Sequence, residues 1–282
     1  MAQRLFNVEG VRLACEDAGA GPPIVLLHGF PLDHTMWDAQ IAELQTHFRV
    51  IAPDLRGFGA SQLADGDAEN GVGMERYAAD VIGLLDWLQV SEPVVLAGLS
   101  MGGYIAWQVA LRWPDRIRGL IPCDTRAVAD ADEPRAARFK MAEAAMQAGN
   151  SSPALVMIPK LLGAETREQR PEVEAKLRAM IERQSAEAVA AAQRGMARRE
   201  DVRGKLDAIT ADSLCIVGVE DVISPPAEMH EFAVLLAKSG DDDVALVEID
   251  HSGHMTPMEN PAAFTAAIAA FAKKCYGLGG TP

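Results

Sequence analysis

The chain has 282 residues, 49% of them hydrophobic, with a formal charge of −14 and four cysteines. So much apolar content supports a full core, while a mean field this negative opposes binding to nucleic acid or to an anionic membrane surface. Cys15, Cys123, Cys215 and Cys275 are scattered, which argues against a disulfide framework, and without a long apolar stretch neither a leader nor a membrane span is expected, so a cytoplasmic location is the default expectation.

In chain order, Leu5 to Glu9 and Val11 to Asp17 read as a hairpin about Gly10. The apolar run Ile24-Val25-Leu26-Leu27 is a buried-strand pattern that ends in a turn, His28-Gly29-Phe30-Pro31. The next strand runs into Asp54-Leu55-Arg56-Gly57-Phe58-Gly59-Ala60-Ser61, where Asp54 and Arg56 are expected to fix the loop by pairing and capping. Pro93 to Ala97 is again a strand, followed directly by Gly98-Leu99-Ser100-Met101-Gly102 and a helical stretch from Gly103 to Leu111. Gly119 to Cys123 predicts a strand that ends at Asp124. After Thr125 the strands cease, and a segment rich in Ala, Glu, Arg and Met shows helical periodicity broken at Gly149 to Pro153, Pro159, Gly163 and Pro171. Strands resume with Leu214 to Gly218, before the loop residues Glu220-Asp221, and Val244 to Ile249, before Asp250-His251-Ser252-Gly253-His254-Met255. A helix then starts near Pro261, and Gly277 to Pro282 reads as a frayed tail.

A strand, a sharp turn with serine at its apex and a helix make a nucleophile elbow. The flanking glycines let strand and helix approach, and Ser100 Oγ stands clear of its backbone. The N–H groups of Met101, at the helix start, and of Phe30, in the earlier turn, are candidates to hold an oxyanion. Serine alone is a weak nucleophile and needs a base that an acid orients. His254 is the candidate base and Asp221 the candidate acid, each just past a strand's carboxyl end; Asp124, in a similar place, competes for the acid role. Glu220 reads as a solvated neighbour, His251 as a loop or core histidine, and His28 as a hydrogen-bonding residue of its turn. His34, His47 and His230 carry no signal. His251 and His254 have a His-x-x-His spacing, but no third ligand cluster accompanies them and no metal is expected.

The order Ser100, Asp221, His254, together with the His28 to Pro31 segment, Asp54 to Ser61, the elbow, and Gly253-His254 followed by Met258-Glu259-Asn260-Pro261, resembles the α/β-hydrolases over nearly the whole chain. Within that family it is most similar to small bacterial esterases, enol-lactonases and perhydrolases; serine at the elbow separates it from the haloalkane dehalogenases and epoxide hydrolases, which carry aspartate there. The resemblance implies an α/β-hydrolase fold, a mostly parallel eight-stranded sheet flanked by helices, with a helical cap inserted after the sixth strand. Residues 1–124 and 206–282 would form one discontinuous core and residues 125–205 the cap. It also implies hydrolysis through an acyl-enzyme, no cofactor, and a small-molecule ester or lactone as partner. An enol-lactonase or C–C bond hydrolase with perhydrolysis as a side activity is the alternative, and a non-catalytic ligand-binding protein on the same fold is another. Oligomeric state is not encoded in any motif, and a homo-oligomer is compatible with the sequence. Met141, Met146 and Met157 are candidates to line an adaptable apolar pocket. With no Lys or Arg cluster beside the motifs, dianionic acyl groups are expected to be poor substrates.

Overall fold

The computed structural model describes residues 3–237 and 245–278. β1 (Gln3–Val8) and β2 (Val11–Ala18) form the expected antiparallel hairpin. Glu9 and Gly10 turn it at φ 49° and 86°, a two-residue loop whose handedness suits twisted strands. β3 (Pro23–Leu27), α1 (Asp38–Leu44), β4 (Arg49–Asp54), α2 (Asp67–Asn70), α3 (Met74–Trp87), β5 (Val94–Leu99), α4 (Met101–Arg112) and β6 (Ile117–Cys123) follow. That alternation is what a parallel sheet with covering helices requires. Every residue of β3 and β5 is buried, because both sheet faces are covered and no side is left for polar residues.

Between β6 and the next strand the chain is helical: α5 (Asp132–Ala148), a 3-10 turn (Ser152–Met157), α6 (Ile158–Leu161), α7 (Ala164–Gln169), α8 (Pro171–Glu182) and α9 (Ala186–Met196). The breaks lie at the glycines and prolines of the sequence. Gly149, at φ 67°, ends α5, and Pro171 opens α8 at a position whose N–H has no helical partner. α9 is rich in alanine for a packing reason. It lies against both α5 and α2, Val72 N–H donates to Ala191 O at 3.0 Å, and a Cβ on Gly195 would overlap the Val72 carbonyl. Only small side chains fit an element enclosed on two sides. The insertion leaves and rejoins the sheet at one neck, where Val202 N–H donates to Ala127 O at 2.8 Å and Arg199 binds Val128 O and Asp130.

The sheet resumes with β7 (Asp212–Ser213), β8 (Cys215–Gly218), α10 (Pro226–Leu236), β9 (Leu246–Ile249), α11 (Thr256–Glu259) and α12 (Pro261–Cys275). β7 and β8 both pair with β6, and Leu214 N–H between them donates to Leu120 O at 2.9 Å, so they are two pieces of one strand. Counted so, the sheet has eight positions, in the order β1-β2-β4-β3-β5-β6-β8-β9, parallel from β4 onward. Of the strand expected from Val244, the described part begins at Leu246; Val244 lies outside the described residues, as do 279–282 of the expected tail. No helix among the described residues is long and apolar enough to cross a membrane.

From β3 to β4 the chain steps one way along the sheet and from β4 to β5 the other. Right-handed crossovers therefore put α1 on one face and α3 and α4 on the opposite face. α12 returns to pack on α1 and β6. The reversal opens a crevice at the carboxyl ends of β3 and β5, the place where open α/β sheets take their ligands.

Candidate active site

Ser100 joins β5 to α4 at φ 53° and ψ −110°, a conformation L residues avoid. Its neighbours hold it there: its N–H donates to Cys123 O at 2.9 Å, and its carbonyl accepts from Gly103 N–H at 2.9 Å and Thr125 Oγ1 at 2.7 Å. A Cβ on Gly98 would overlap the Gly102 carbonyl, and one on Gly102 would overlap the Leu27 carbonyl. The glycines two residues either side of the serine are therefore steric necessities.

His254 Nδ1–H donates to Asp221 Oδ2 at 2.8 Å, with both side chains buried. Asp221 Oδ1 accepts from Ile223 N–H at 2.7 Å and Ser224 N–H at 3.0 Å, so the backbone fixes one carboxylate oxygen while the other orients the imidazole. That leaves His254 Nε2 as the nitrogen free to accept a proton. The competing acid is engaged elsewhere. Asp124 is buried at φ 43°, with Oδ1 accepting from Gly218 N–H at 2.9 Å and Oδ2 from Thr256 Oγ1. Burial and the charge of Asp221 push its carboxyl well above the usual carboxylate range.

Met101 is the first residue of α4, where helix N–H groups have no intrahelical partner. Phe30 follows β3, and the parallel register of Leu27 beside Gly98 sets its turn next to the elbow. His28 braces that turn. Leu55 N–H donates to its Nε2 at 2.9 Å, so its Nδ1–H donates to Gly29 O at 2.9 Å. Burial lowers its pKa, and a neutral imidazole with both nitrogens engaged is a structural group.

Several residues have partners that the sequence did not specify. Asp54 and Arg56 pair, but with other partners: Arg56 grips Asp80 with two bonds of 2.7 Å, while Asp54 accepts from Ala60 N–H at 2.9 Å and His34 Nδ1–H at 2.6 Å. Ligand-type atoms of Asp33, His34 and Asp54 lie within 4.8 Å of one another. Arg183 and Gln184 already bind Asp33, at 2.6, 2.6 and 2.9 Å, so this cluster is a latch from the insertion to the Phe30 turn rather than an open set of cation ligands. Glu220 is not merely solvated, since its Oε2 accepts from Ala164 N–H at 2.6 Å. His251 is a loop residue at φ 54° whose Nδ1 meets Glu165 Oε2 at 2.7 Å.

Basic residues gather against the elbow helix, where positions 126, 138 and 199 meet only in the fold. Arg199 lies 4.5 Å over the Tyr104 ring and pairs, with Arg138, to Asp130, while Arg126 pairs to Glu228. Of the pocket candidates, Met141 is half-buried with its Sδ accepting from Gln193 Nε2 at 3.0 Å, Met157 is half-buried, and Met146 is 38% exposed.

The sequence profile of the alpha/beta hydrolase fold matches residues 22–261. A thermophilic esterase from Thermogutta terrifontis is 43% identical, with a TM-score of 0.90 over 98% of this chain and 99% of that one. The enol-lactonase from Burkholderia xenovorans LB400 is 28% identical, with a TM-score of 0.83 over 95% of this chain and 99% of its own. 3-Oxoadipate enol-lactonase 2 of Acinetobacter baylyi is 28% identical over 253 residues, 90% of this chain and 89% of the relative. Family match, sheet order and elbow agree: the chain belongs to the alpha/beta hydrolase fold family.

Proposed function

We propose that the protein is a serine hydrolase of small to medium carboxylic esters, working through Ser100, His254, Asp221 and an acyl-enzyme. The observation that carries this reading is the buried His254–Asp221 pair at 2.8 Å, in loops after β8 and β9, together with the strained Ser100 after β5. His254 Nε2 takes the Ser100 Oγ proton as Oγ attacks the ester carbon, and Asp221 holds the tautomer and stabilises the imidazolium. The tetrahedral oxyanion accepts from the N–H groups of Phe30 and Met101, donors fixed before the charge forms. Return of the proton to the leaving alcohol frees it and leaves Ser100 acylated; water, deprotonated by the same nitrogen, then releases the acid.

The 43% identity to an esterase supports esters as the substrate class. The 28% identity to two enol-lactonases supports lactones as a second reading, and a cyclic ester would pass through the same steps. In this reading residues 1–124 and 206–282 are the catalytic core and residues 125–205 a cap, supported by the Asp33–Arg183 and Glu220–Ala164 ties between insertion and site loops. Met141, Met146 and Met157 belong to that cap as pocket candidates. Hydrolysis of p-nitrophenyl acetate, absent in Ser100→Ala, tests the reading, as does a phosphonate label located by mass spectrometry. Full activity in Ser100→Ala, or an adduct on another residue, overturns it. A panel of esters and lactones decides between the two substrate readings.

A further inference from the structure

The histidine loop is held by more than its acid. Glu259, buried at the end of α11, turns its carboxylate back onto that loop: Oε1 accepts from Gly253 N–H at 2.9 Å and Met255 N–H at 3.1 Å, the residues on either side of His254. Oε2 accepts from Gly163 N–H at 2.7 Å, and the Thr166 side chain also hydrogen-bonds this carboxylate. His254 N–H itself donates to Leu161 O at 3.0 Å. Three consecutive amides, 253 to 255, are thus satisfied by Glu259 or by the insertion. The contact is close as well as polar, since a Cβ on Gly163 or on Gly253 would press on the backbone of the other. Arg170, just before α8, secures the far side by donating to the carbonyls of Met258 and Glu259. A carboxylate that receives donors on both oxygens works as an acceptor only, and among the described residues no other buried acid is seen to bind both flanks of the histidine.

We propose that Glu259 is a positioning residue of the reaction. By holding the amides on both sides of His254 it aims Nε2 at Ser100, and by accepting from Gly163 and Thr166 it makes that aim depend on how the helical insertion is seated. The inference rests on the serine-hydrolase reading, and it does not require Glu259 to touch substrate. Occupancy of the insertion would then alter turnover through the histidine rather than through binding alone.

Glu259→Gln keeps the shape of the side chain but places an amide NH2 where backbone N–H groups point, so one side of the bridge is lost. Turnover per phosphonate-titrated active site should fall about ten- to a hundredfold, with KM within about threefold of wild type, the cost of an ångström-scale misplacement of a catalytic group. A second readout needs no substrate. The proton NMR signal of His254 Nδ1–H, hydrogen-bonded to Asp221, should shift or broaden in Glu259→Gln and stay in place in the surface control Glu43→Gln. Where Glu259→Gln fails to fold, Thr166→Ala removes one of the two insertion-side bonds and should show the same split between kcat and KM on a smaller scale. Unchanged turnover per titrated site with an unmoved Nδ1–H signal, in whichever variant folds, overturns the proposal, as does a loss confined to thermal stability. Wild-type protein lacking Ser100-dependent hydrolysis would instead overturn the serine-hydrolase reading, and the NMR signal would still judge Glu259.

Discussion

Ser100 keeps its left-handed backbone because Cys123, the first turn of α4 and Thr125 all bind it, and none of those contacts uses Oγ. Ser100→Ala should therefore fold normally and lose at least about a thousandfold in kcat, and adding His254→Ala should cost little more, since the base then has no proton to take. Kinetics of the single and double variants with p-nitrophenyl acetate check this. Asp221→Asn should cost about 10⁴-fold by favouring the wrong imidazole tautomer. Asp124→Asn can keep the bond from Gly218 N–H and turn its amide to Thr256 Oγ1, so it should stay within about tenfold of wild type. Asp124 also bears on stability. Its carboxyl is raised in the folded state, so its contribution is present below the unfolded value near 3.8 and is lost as pH rises through the folded one. Thermal melts of Asp124→Asn should accordingly show less loss of stability than wild type between that value and neutral pH. The turn at Ser100 and the pairing of His254 with Asp221 are legible in the sequence because each residue stands just past an apolar strand, where a parallel sheet gathers its loops. Thr125, Asp33 and Glu259 are not, because their partners are backbone groups or residues far along the chain, and no spacing marks such a bond.

Elements show the same division. β3, β6 and the hairpin are visible as apolar or alternating runs, but β7 consists of Asp212 and Ser213, which carry no apolar signal, and pairs only because β6 lies alongside. β5 extends through Gly98 and Leu99, past the expected end at Ala97, and α4 starts at Met101, where the sequence put the helix start. The steric demands of the elbow set those boundaries, not propensity. The latch between α8 and the Phe30 turn is testable at this scale. Burial alone would raise the Asp33 carboxyl, but hydrogen bonds from Arg183 and Thr35 hold it below the usual range. A depressed carboxylate stabilises the fold above its unfolded pKa and loses that contribution as pH falls through the folded one. Arg183→Met should thus melt earlier than wild type at neutral pH, and the difference should shrink as pH drops below about 4, where carboxylates protonate.

For the whole molecule the sequence reveals the fold class, the insertion and the sign of the field, while the placing of Arg126, Arg138 and Arg199 emerges only when distant segments meet. Those arginines face Asp130 and Glu228, so the cluster is largely neutralised inside a chain of formal charge −14. Repulsion from that field should slow the approach of anionic esters, and salt should relieve it. Raising ionic strength from about 0.01 to 0.2 M should increase kcat/KM for a negatively charged ester and leave that of a neutral one unchanged, in parallel assays at one pH. The neck at Ala127 and Val202, closed by a bond of 2.8 Å, has a consequence for how such a protein can change. To the sheet, everything from α5 to α9 is a single side loop already tied shut at its base. Loop-closure entropy grows only with the logarithm of length, about 0.6 kcal/mol for each doubling. Helices behind the neck can lengthen, shorten or be exchanged at almost no entropic penalty to the pairing of β6 with β8, so selection can rewrite the insertion while the strands that lead to Ser100, Asp221 and His254 keep their register.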